Sequence, residues 1–440
     1  MRTLLSSIGA AVITCAVAIV GLDRARAAVG PPGLNPVPCA DRAWEADDPS
    51  FAALAGATAH FGRYDGGVYR IEIPEKWNGD LVLWAHGYVD DAGPQGLRLR
   101  VGFPTAGQNG AGPTLREHLI ASGFAWAASS YRCNGYVPGV GLLDTVALTD
   151  LVAKASGRSP TRTYLTGVSM GGHITLLGMQ EFPTRFAAGL ALCAAGPGEL
   201  DFLVAVHAAS ELISGISVNN ANRDADVAKL AELYGTPPVY TEKGRQLASV
   251  QIETSGGARP FALEGLASRF IENVSGGARV EMRQEWARVA TNAHVTYAID
   301  DALGLTANAL NTRVRRKAVD GAARNATTYD EVVPFDGRFE RPVLTLHGTG
   351  DLFVPISLQR TLKQAVDAAG RQQFLVQRVI RTPGHCGFSR QEQVQAMDDV
   401  VRWVRQDVRP QGDDVMGDLR DAGRRFTNPI RPGDPGGLKP

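Results

Sequence analysis

The chain carries no surplus of charge: Lys and Arg together number 45, Asp and Glu 45, and the formal net charge is +0. Without a basic excess there is no electrostatic footprint for nucleic acid, and without an acidic one no reason to expect a strongly basic partner. Long apolar runs are also scarce. One lies at the amino terminus, and no second run reaches membrane length, which argues against a multispanning protein. Cysteines number only 5, and none of their spacings resembles a zinc or redox site. Internal repeats are absent. The 50 glycines and 25 prolines are dispersed, so the body reads as globular and turn-rich rather than low-complexity.

The apolar run that is present has the form of an export signal. Arg2 supplies a positive start, Leu4 to Leu22 is mostly apolar, and Ala25-Arg26-Ala27 offers a small-residue cleavage site before Ala28. Residues 1–27 are therefore expected to be removed, leaving a secreted or periplasmic protein. An uncleaved anchor is the competing reading. A lipid anchor on Cys15 is disfavoured by Thr14 just before it. Cleavage leaves Cys39, Cys133, Cys193 and Cys386, an even number in an exported chain, which points to two disulfides. Of the three pairings, Cys39–Cys133 with Cys193–Cys386 is the one expected. The alternative for Cys193, in an apolar strand, is a buried free thiol.

From about residue 65 the chain alternates strand and helix signals. Tyr69 to Ile73 alternates with period two, and Leu81 to Ala85 is continuously apolar, as in a parallel strand covered on both faces. A helix over Leu115–Ala121, a strand over Phe124–Ser129 and a helix over Leu142–Lys154 follow. Strands are expected before Ser169, over Ala187–Ala194, at Val343–Leu346 and over Phe374–Ile380. Such units argue for a mostly parallel sheet with helices on both faces. The rhythm breaks over residues 198–338, where helical patterns dominate. Phe202, Leu203, Val206 and Ile213 share one face, as do Met282, Trp286, Val289, Ala293 and Tyr297. This block reads as a helical cap inserted between two catalytic parts, residues 28–197 and 339–408. Val394, Met397, Val401 and Val404 place a last amphipathic helix. Residues 409–440, rich in Pro, Gly, Asp and Arg, are expected to be a poorly ordered tail.

Gly167-Val168-Ser169-Met170-Gly171 follows the β-prone Thr163-Tyr164-Leu165 and precedes a helix-competent segment. Strand, sharp turn and helix are the setting of a nucleophile elbow. A serine hydroxyl is a poor nucleophile at neutral pH and needs a base, which in turn needs an orienting acid. Of the histidines, His60, His118, His207 and His294 have no motif context. His173 lies on the departing helix and reads as packed or solvated, while His86 and His347 end strands. His385, in the turn-rich Thr382-Pro383-Gly384-His385-Cys386-Gly387 loop, can reach over the sheet edge and is the candidate base. Asp351, after the strand ending His347-Gly348-Thr349-Gly350, is the candidate acid. Asp330 and Asp336 precede that strand and would sit at its wrong end. The two oxyanion donors are expected to be the backbone N–H of Met170 and that of Tyr88, after Trp84-Ala85-His86-Gly87; the Tyr88 ring is also expected to line the substrate pocket.

His86-Gly87-Tyr88, Gly167 to Gly172, His347 to Pro355 and Gly384-His385 together resemble the α/β-hydrolase superfamily over about residues 65–197 and 340–407. The resemblance implies an α/β-hydrolase fold and a Ser-His-Asp hydrolase that forms an acyl-enzyme and needs no metal or cofactor. The G-x-S-M-G-G form is similar to bacterial polyester hydrolases. The long insertion and the cysteine beside the base resemble tannase/feruloyl esterases, which carry a cysteine where this chain has Val168.

The reading that follows is a secreted carboxylic-ester hydrolase acting on bulky or aromatic esters, small or polymeric, with no nucleic-acid or stable membrane partner. A peptidase of prolyl-oligopeptidase or proline-iminopeptidase type shares the triad but needs an amino-terminus anchor; Glu253, Glu264 and Glu272 form no recognisable motif for one. A silent binding protein on a hydrolase scaffold is the third reading, opposed by the intact triad.

Overall fold

The computed structural model describes Cys39 and residues 42–105, 114–219, 221–319 and 335–434. The expected signal at 1–27, Cys15 and the alternative acid Asp330 lie outside these residues. Eight strands form one sheet: β1 (Ala57–Tyr64), β2 (Gly67–Pro74), β3 (Asp80–Ala85), β4 (Ala125–Ser129), β5 (Arg162–Val168), β6 (Ala188–Leu192), β7 (Val343–Gly348) and β8 (Leu375–Ile380). Their order is β8-β7-β6-β5-β3-β4-β2-β1. Pairing is parallel from β8 to β4 and antiparallel across β4–β2 and β2–β1.

The helices are α1 (Arg116–Ala121), α2 (Pro138–Ser156), α3 (Met170–Glu181), α4 (Pro197–Ser214), α5 (Arg223–Tyr234), α6 (Glu242–Thr254), α7 (Ala262–Ala267), α8 (Phe270–Met282), α9 (Ala307–Arg313), α10 (Ser357–Ala368) and α11 (Arg390–Gln406). The continuous apolar run of β3 is explained by burial on both faces. Leu81, Leu83 and Ala85 join the layer with Leu142 and Ile174. Val82 and Trp84 join the opposite layer with Leu119, Met397 and Trp403. Between β6 and β7, helices α4 to α9 contribute no strand to this sheet among the described residues. α4 and α8 pack backbone to backbone because Gly277 has no side chain: a Cβ there would overlap Leu203 O.

Three expectations need correction. The period-two reading of β2 leaves Glu72 on a polar face, yet Glu72 is fully buried. Its carboxylate accepts from Arg116 Nε (2.7 Å), Trp126 Nε1 (2.7 Å) and Leu54 N (2.6 Å). A paired, hydrogen-bonded charge tolerates burial that a lone one does not. The single helical face through Tyr297 also fails. The helix ends at Met282, one turn follows over Gln284–Ala287, and Tyr297 lies in irregular chain. There Asn292 Nδ2 donates to Tyr297 Oη (2.9 Å) and to Arg315 O (2.8 Å), a side-chain alternative to helical pairing.

The third correction concerns the tail. Through Asp434 it is packed, not loose. Val415, Leu419 and Ala422 bury against Ile356 and Val379. Its polar residues serve the open edge of β8. Asp413 N donates to Gln377 O (2.8 Å), Val379 N to Asp413 Oδ2 (2.8 Å) and Arg381 N to Thr427 Oγ1 (2.7 Å). Asp434 closes the wrap with a buried ion pair to Arg381 at 2.8 Å. An edge strand presents unpaired backbone groups, and covering them is one way to block edge-to-edge association.

Candidate active site

Each element of the site stands at the carboxyl end of a parallel strand. β5 delivers Ser169, whose backbone is at φ 56°, ψ −117°. That left-handed φ is costly for a serine, and the turn is held in place by its neighbours. Ser169 N donates to Leu192 O (3.0 Å), and Ala195 N donates to Ser169 O (3.1 Å). The flanking glycines are explained by contact. A Cβ on Gly167 would overlap Gly171 O, one on Gly171 would overlap Ala85 O, and one on Gly172 would lie 2.7 Å from Ala194 Cα. Only glycine lets α3 leave so close to β3 and β6.

The structure brings the three predicted side chains together. His385 Nδ1 lies 2.6 Å from Asp351 Oδ2, and His385 Nε2 lies 3.0 Å from Ser169 Oγ. With Nδ1–H donated to the carboxylate, Nε2 is left as an acceptor for the serine hydroxyl. Asp351 Oδ1 accepts from Phe353 N and Val354 N, both at 3.0 Å. Asp351 is fully buried. Burial works to raise its pKa, but the charge and hydrogen bond of His385, with the Val354 N–H, outweigh burial and hold the carboxyl below its usual range. The Phe353 ring meets the His385 ring edge-on at 5.1 Å.

Disulfides join Cys39 to Cys133 and Cys193 to Cys386. The second ties the residue after β6 to the residue after His385. Cys193 and Cys386 both hold positive φ, 42° and 57°. His385 and the two sulfurs of this bond are the only close group of potential metal ligands among the described residues, and both sulfurs are already bonded.

The expected oxyanion donors are the N–H of Tyr88, three residues past β3, and that of Met170 at the elbow. The residues opening the β3–α1 connection touch it, since a Cβ on Gly171 would approach His86 O as well as Ala85 O. The N–H groups of Met170, Gly87 and Tyr88 donate to no other backbone group among the described residues. Met170 is the first residue of α3, where an N–H has no intrahelical acceptor. The Tyr88 hydroxyl donates to Asp90 Oδ1 at 3.2 Å.

The competing histidines have structural partners. His86 is buried against Tyr131, ring centroids 3.9 Å apart, with Nδ1 2.7 Å from Gly87 O. His347 Nε2 is 2.9 Å from Val354 O. Burial lowers the pKa of both, so both are neutral imidazoles. His173 is packed, its Nδ1 2.8 Å from Tyr136 Oη. Asp336 precedes β7, and its N–H donates to Gln180 Oε1 (2.9 Å). Glu253, Glu264 and Glu272 are all exposed, and Glu272 pairs with Arg269 at 2.9 Å.

Strand order β8-β7-β6-β5-β3-β4-β2-β1, a serine elbow after β5, an acid after β7 and a histidine after β8 form one recognised arrangement. The chain has the α/β-hydrolase fold. No protein-family profile matches the chain, and no curated protein matches it. Among solved structures, acylaminoacyl peptidase from Pyrococcus horikoshii is similar at 11% identity and TM-score 0.41, over 82% of this chain and 44% of that chain. The present chain thus spans less than half of that peptidase. Feruloyl esterase B from Aspergillus oryzae is similar at 13% identity and TM-score 0.43, over 80% of this chain and 81% of that one. Est1E from Butyrivibrio proteoclasticus gives 13%, TM-score 0.34, 79% and 98%. Likeness at this level says nothing of substrate.

Several residues of the site have no motif. Arg259, buried, reaches from the α6–α7 connection to Thr349 O (2.6 Å), beside the acid. Its other bonds go to Gly257 O (2.6 Å) and Ser255 Oγ (2.9 Å). Burial draws its pKa down to about 10, against the pull of the Asp351 charge. Arg269 stacks on Phe353 at 4.4 Å. Glu199, in the first turn of α4, is only 8% exposed. The sole sequence signal for Glu199 is its place in Gly196-Pro197-Gly198-Glu199, a strand-to-helix turn at the same sheet end as the serine.

Proposed function

We propose that the protein is a serine hydrolase that cleaves carboxylic esters through an acyl-enzyme, with Ser169 as nucleophile, His385 as base and Asp351 as its orienting acid. The hydrogen-bonded chain Ser169–His385–Asp351 at a strained elbow carries this reading. In the first half-reaction His385 Nε2 takes the Ser169 proton as Oγ attacks the ester carbonyl. The buried Asp351 carboxylate stabilises the imidazolium that results. Negative charge on the carbonyl oxygen is met by the Met170 N–H and a donor from Gly87–Tyr88. The imidazolium then protonates the departing alkoxide. Water, activated by the same histidine, releases the acid and regenerates the serine.

Ester rather than peptide is favoured by the surroundings. The Phe353 ring meets His385 edge-on and the Tyr136 hydroxyl bonds His173 of α3, which supports an apolar, aromatic setting, whereas the three glutamates considered as an amine anchor are exposed. Export is supported by the two disulfides, which persist in oxidising compartments. Among the described residues no helix is long and apolar enough to cross a membrane. The test is a panel of p-nitrophenyl esters and aminoacyl anilides, run beside Ser169→Ala. Ester turnover abolished by the substitution supports the proposal, and anilide turnover without ester turnover refutes it.

A further inference from the structure

The loop that carries Asp351 is gripped from two sides. On one side its N–H groups meet β8 and the loop of the base: Thr349 N donates to Ile380 O (2.8 Å) and Gly350 N to Thr382 O (2.9 Å). On the other side its carbonyls meet the cap. Arg259 Nε donates to Thr349 O (2.6 Å), and Asn273 Nδ2 donates to Leu352 O (3.1 Å). Thr349 and Leu352 flank Asp351. Two cap residues therefore hold the backbone before and after the acid, and the proposed chemistry gives neither a role.

Both side chains are fixed in place. Arg259 is 7% exposed and Asn273 1%. The remaining bonds of the guanidinium, to Gly257 O and Ser255 Oγ, anchor Arg259 within the α6–α7 connection. A planar fork of donors suits this task, because it joins oxygens of separate segments at once. Asn273, in the first turn of α8, also donates to Gln251 Oε1 (2.9 Å), and Gln251 Nε2 donates to Phe270 O (2.9 Å). A buried amide network satisfied in this way specifies one arrangement. The backbones are equally close. A Cβ on Gly265 of α7 would lie 1.7 Å from Gly350 O, and one on Gly350 would lie 2.5 Å from Phe261 O. Packing this tight transmits any shift of the cap directly to the acid loop.

We propose that Arg259 and Asn273 are positioning residues for the catalytic acid: they hold the Asp351 loop so that its carboxylate stays on His385 through turnover. This face of the cap is then part of the catalytic frame and not a lid. The inference rests on the hydrolase reading above, and the two can fail separately. Fluorophosphonate labelling of Ser169 in the unaltered chain reports the hydrolase, while the variants below report the positioning.

The test is a double-mutant cycle on the full chain, with p-nitrophenyl acetate, butanoate and octanoate as substrates. Arg259→Met and Asn273→Leu should each lower kcat and kcat/KM together, by about 10- to 100-fold, as small misplacements of a catalytic group do. KM should stay within about twofold, and the loss should be the same for all three acyl chains, because neither residue touches substrate. Arg259→Lys, which can still donate to Thr349 O, should retain more of kcat than Arg259→Met. In an Asp351→Ala background, where no carboxylate is left to position, either substitution should cost less than about threefold. A merely structural role would not show that loss of effect. Should Arg259→Met fail to fold, Arg259→Lys and Asn273→Leu carry the same cycle. Unchanged kcat in the single variants, a rise in KM at constant kcat, a loss that varies with acyl length, or an undiminished loss in the Asp351→Ala background overturns the proposal.

Discussion

Replacing Glu199 by glutamine should stabilise the protein, and only on the alkaline side. The carboxyl titrates near its ordinary value of 4.5 in the unfolded chain and at about 8 in the folded one. Between those values the unfolded state releases the proton and the folded state keeps it. Folding is therefore opposed by an amount that grows from pH 4.5 to about 8 and is constant beyond. At 1.36 kcal/mol per unit, the shift corresponds to about 5 kcal/mol at the plateau and about 3 kcal/mol at pH 7. These are upper figures. Glu199 sits in the first turn of α4, where the helix dipole favours the charged form, and local relaxation reduces the penalty further. Glutamine has the same shape and no such titration. The measurement is Tm for both proteins from pH 4.5 to 9. All other titrating groups are common to both, so they cancel in the difference. The glutamine variant should match the parent near pH 4.5 and exceed it by several degrees at pH 8.5. Parallel curves across the range would refute the assignment of a buried, protonated Glu199.

Ser169→Ala and His385→Ala should each lower kcat by roughly 10⁶, and Asp351→Asn by about 10⁴, because an oriented serine–histidine pair survives in the last. Steady-state ester hydrolysis checks the order, and an Asp351→Asn loss equal to that of Ser169→Ala would remove Asp351 from the orienting role. The Cys193–Cys386 bond closes a separation of 193 residues, which in the chain-entropy account stabilises by about 5 kcal/mol, and it adjoins His385. Reductant should lower both Tm and kcat; full activity with all four thiols titrating free would contradict that role. Truncation after Pro410 uncovers β8 and removes the packing of Val415, Leu419 and Ala422. It should lower Tm and promote association seen by light scattering, and a truncated chain of unchanged Tm and mass would show the wrap to be dispensable.

Strands buried on both faces were readable because continuous apolar runs such as Leu81–Ala85 have few other uses. The elbow was readable because its glycines answer a local steric demand. The triad was readable because strand order puts the ends of β5, β7 and β8 on one side of the sheet. Glu199, Arg259 and Arg269 were not, since their roles depend on which distant groups they meet: a buried glutamate and an exposed one look alike in a helix. The tail was misread for a related reason. Its Asp, Thr and Arg residues suggest solvent, but here they satisfy the backbone of an edge strand. Tyr297 shows the same limit, because helical spacing persisted in the sequence past Ala287, where the last helical turn of this stretch ends.

The central claim is that Ser169 is a nucleophile activated by His385. Fluorophosphonate labelling of the full chain, followed by peptide mapping, tests it most directly. The account predicts one modified residue, Ser169, with labelling abolished in Ser169→Ala and slowed by orders of magnitude in His385→Ala. Label on another residue, or an active ester hydrolase that resists labelling at Ser169, would contradict it.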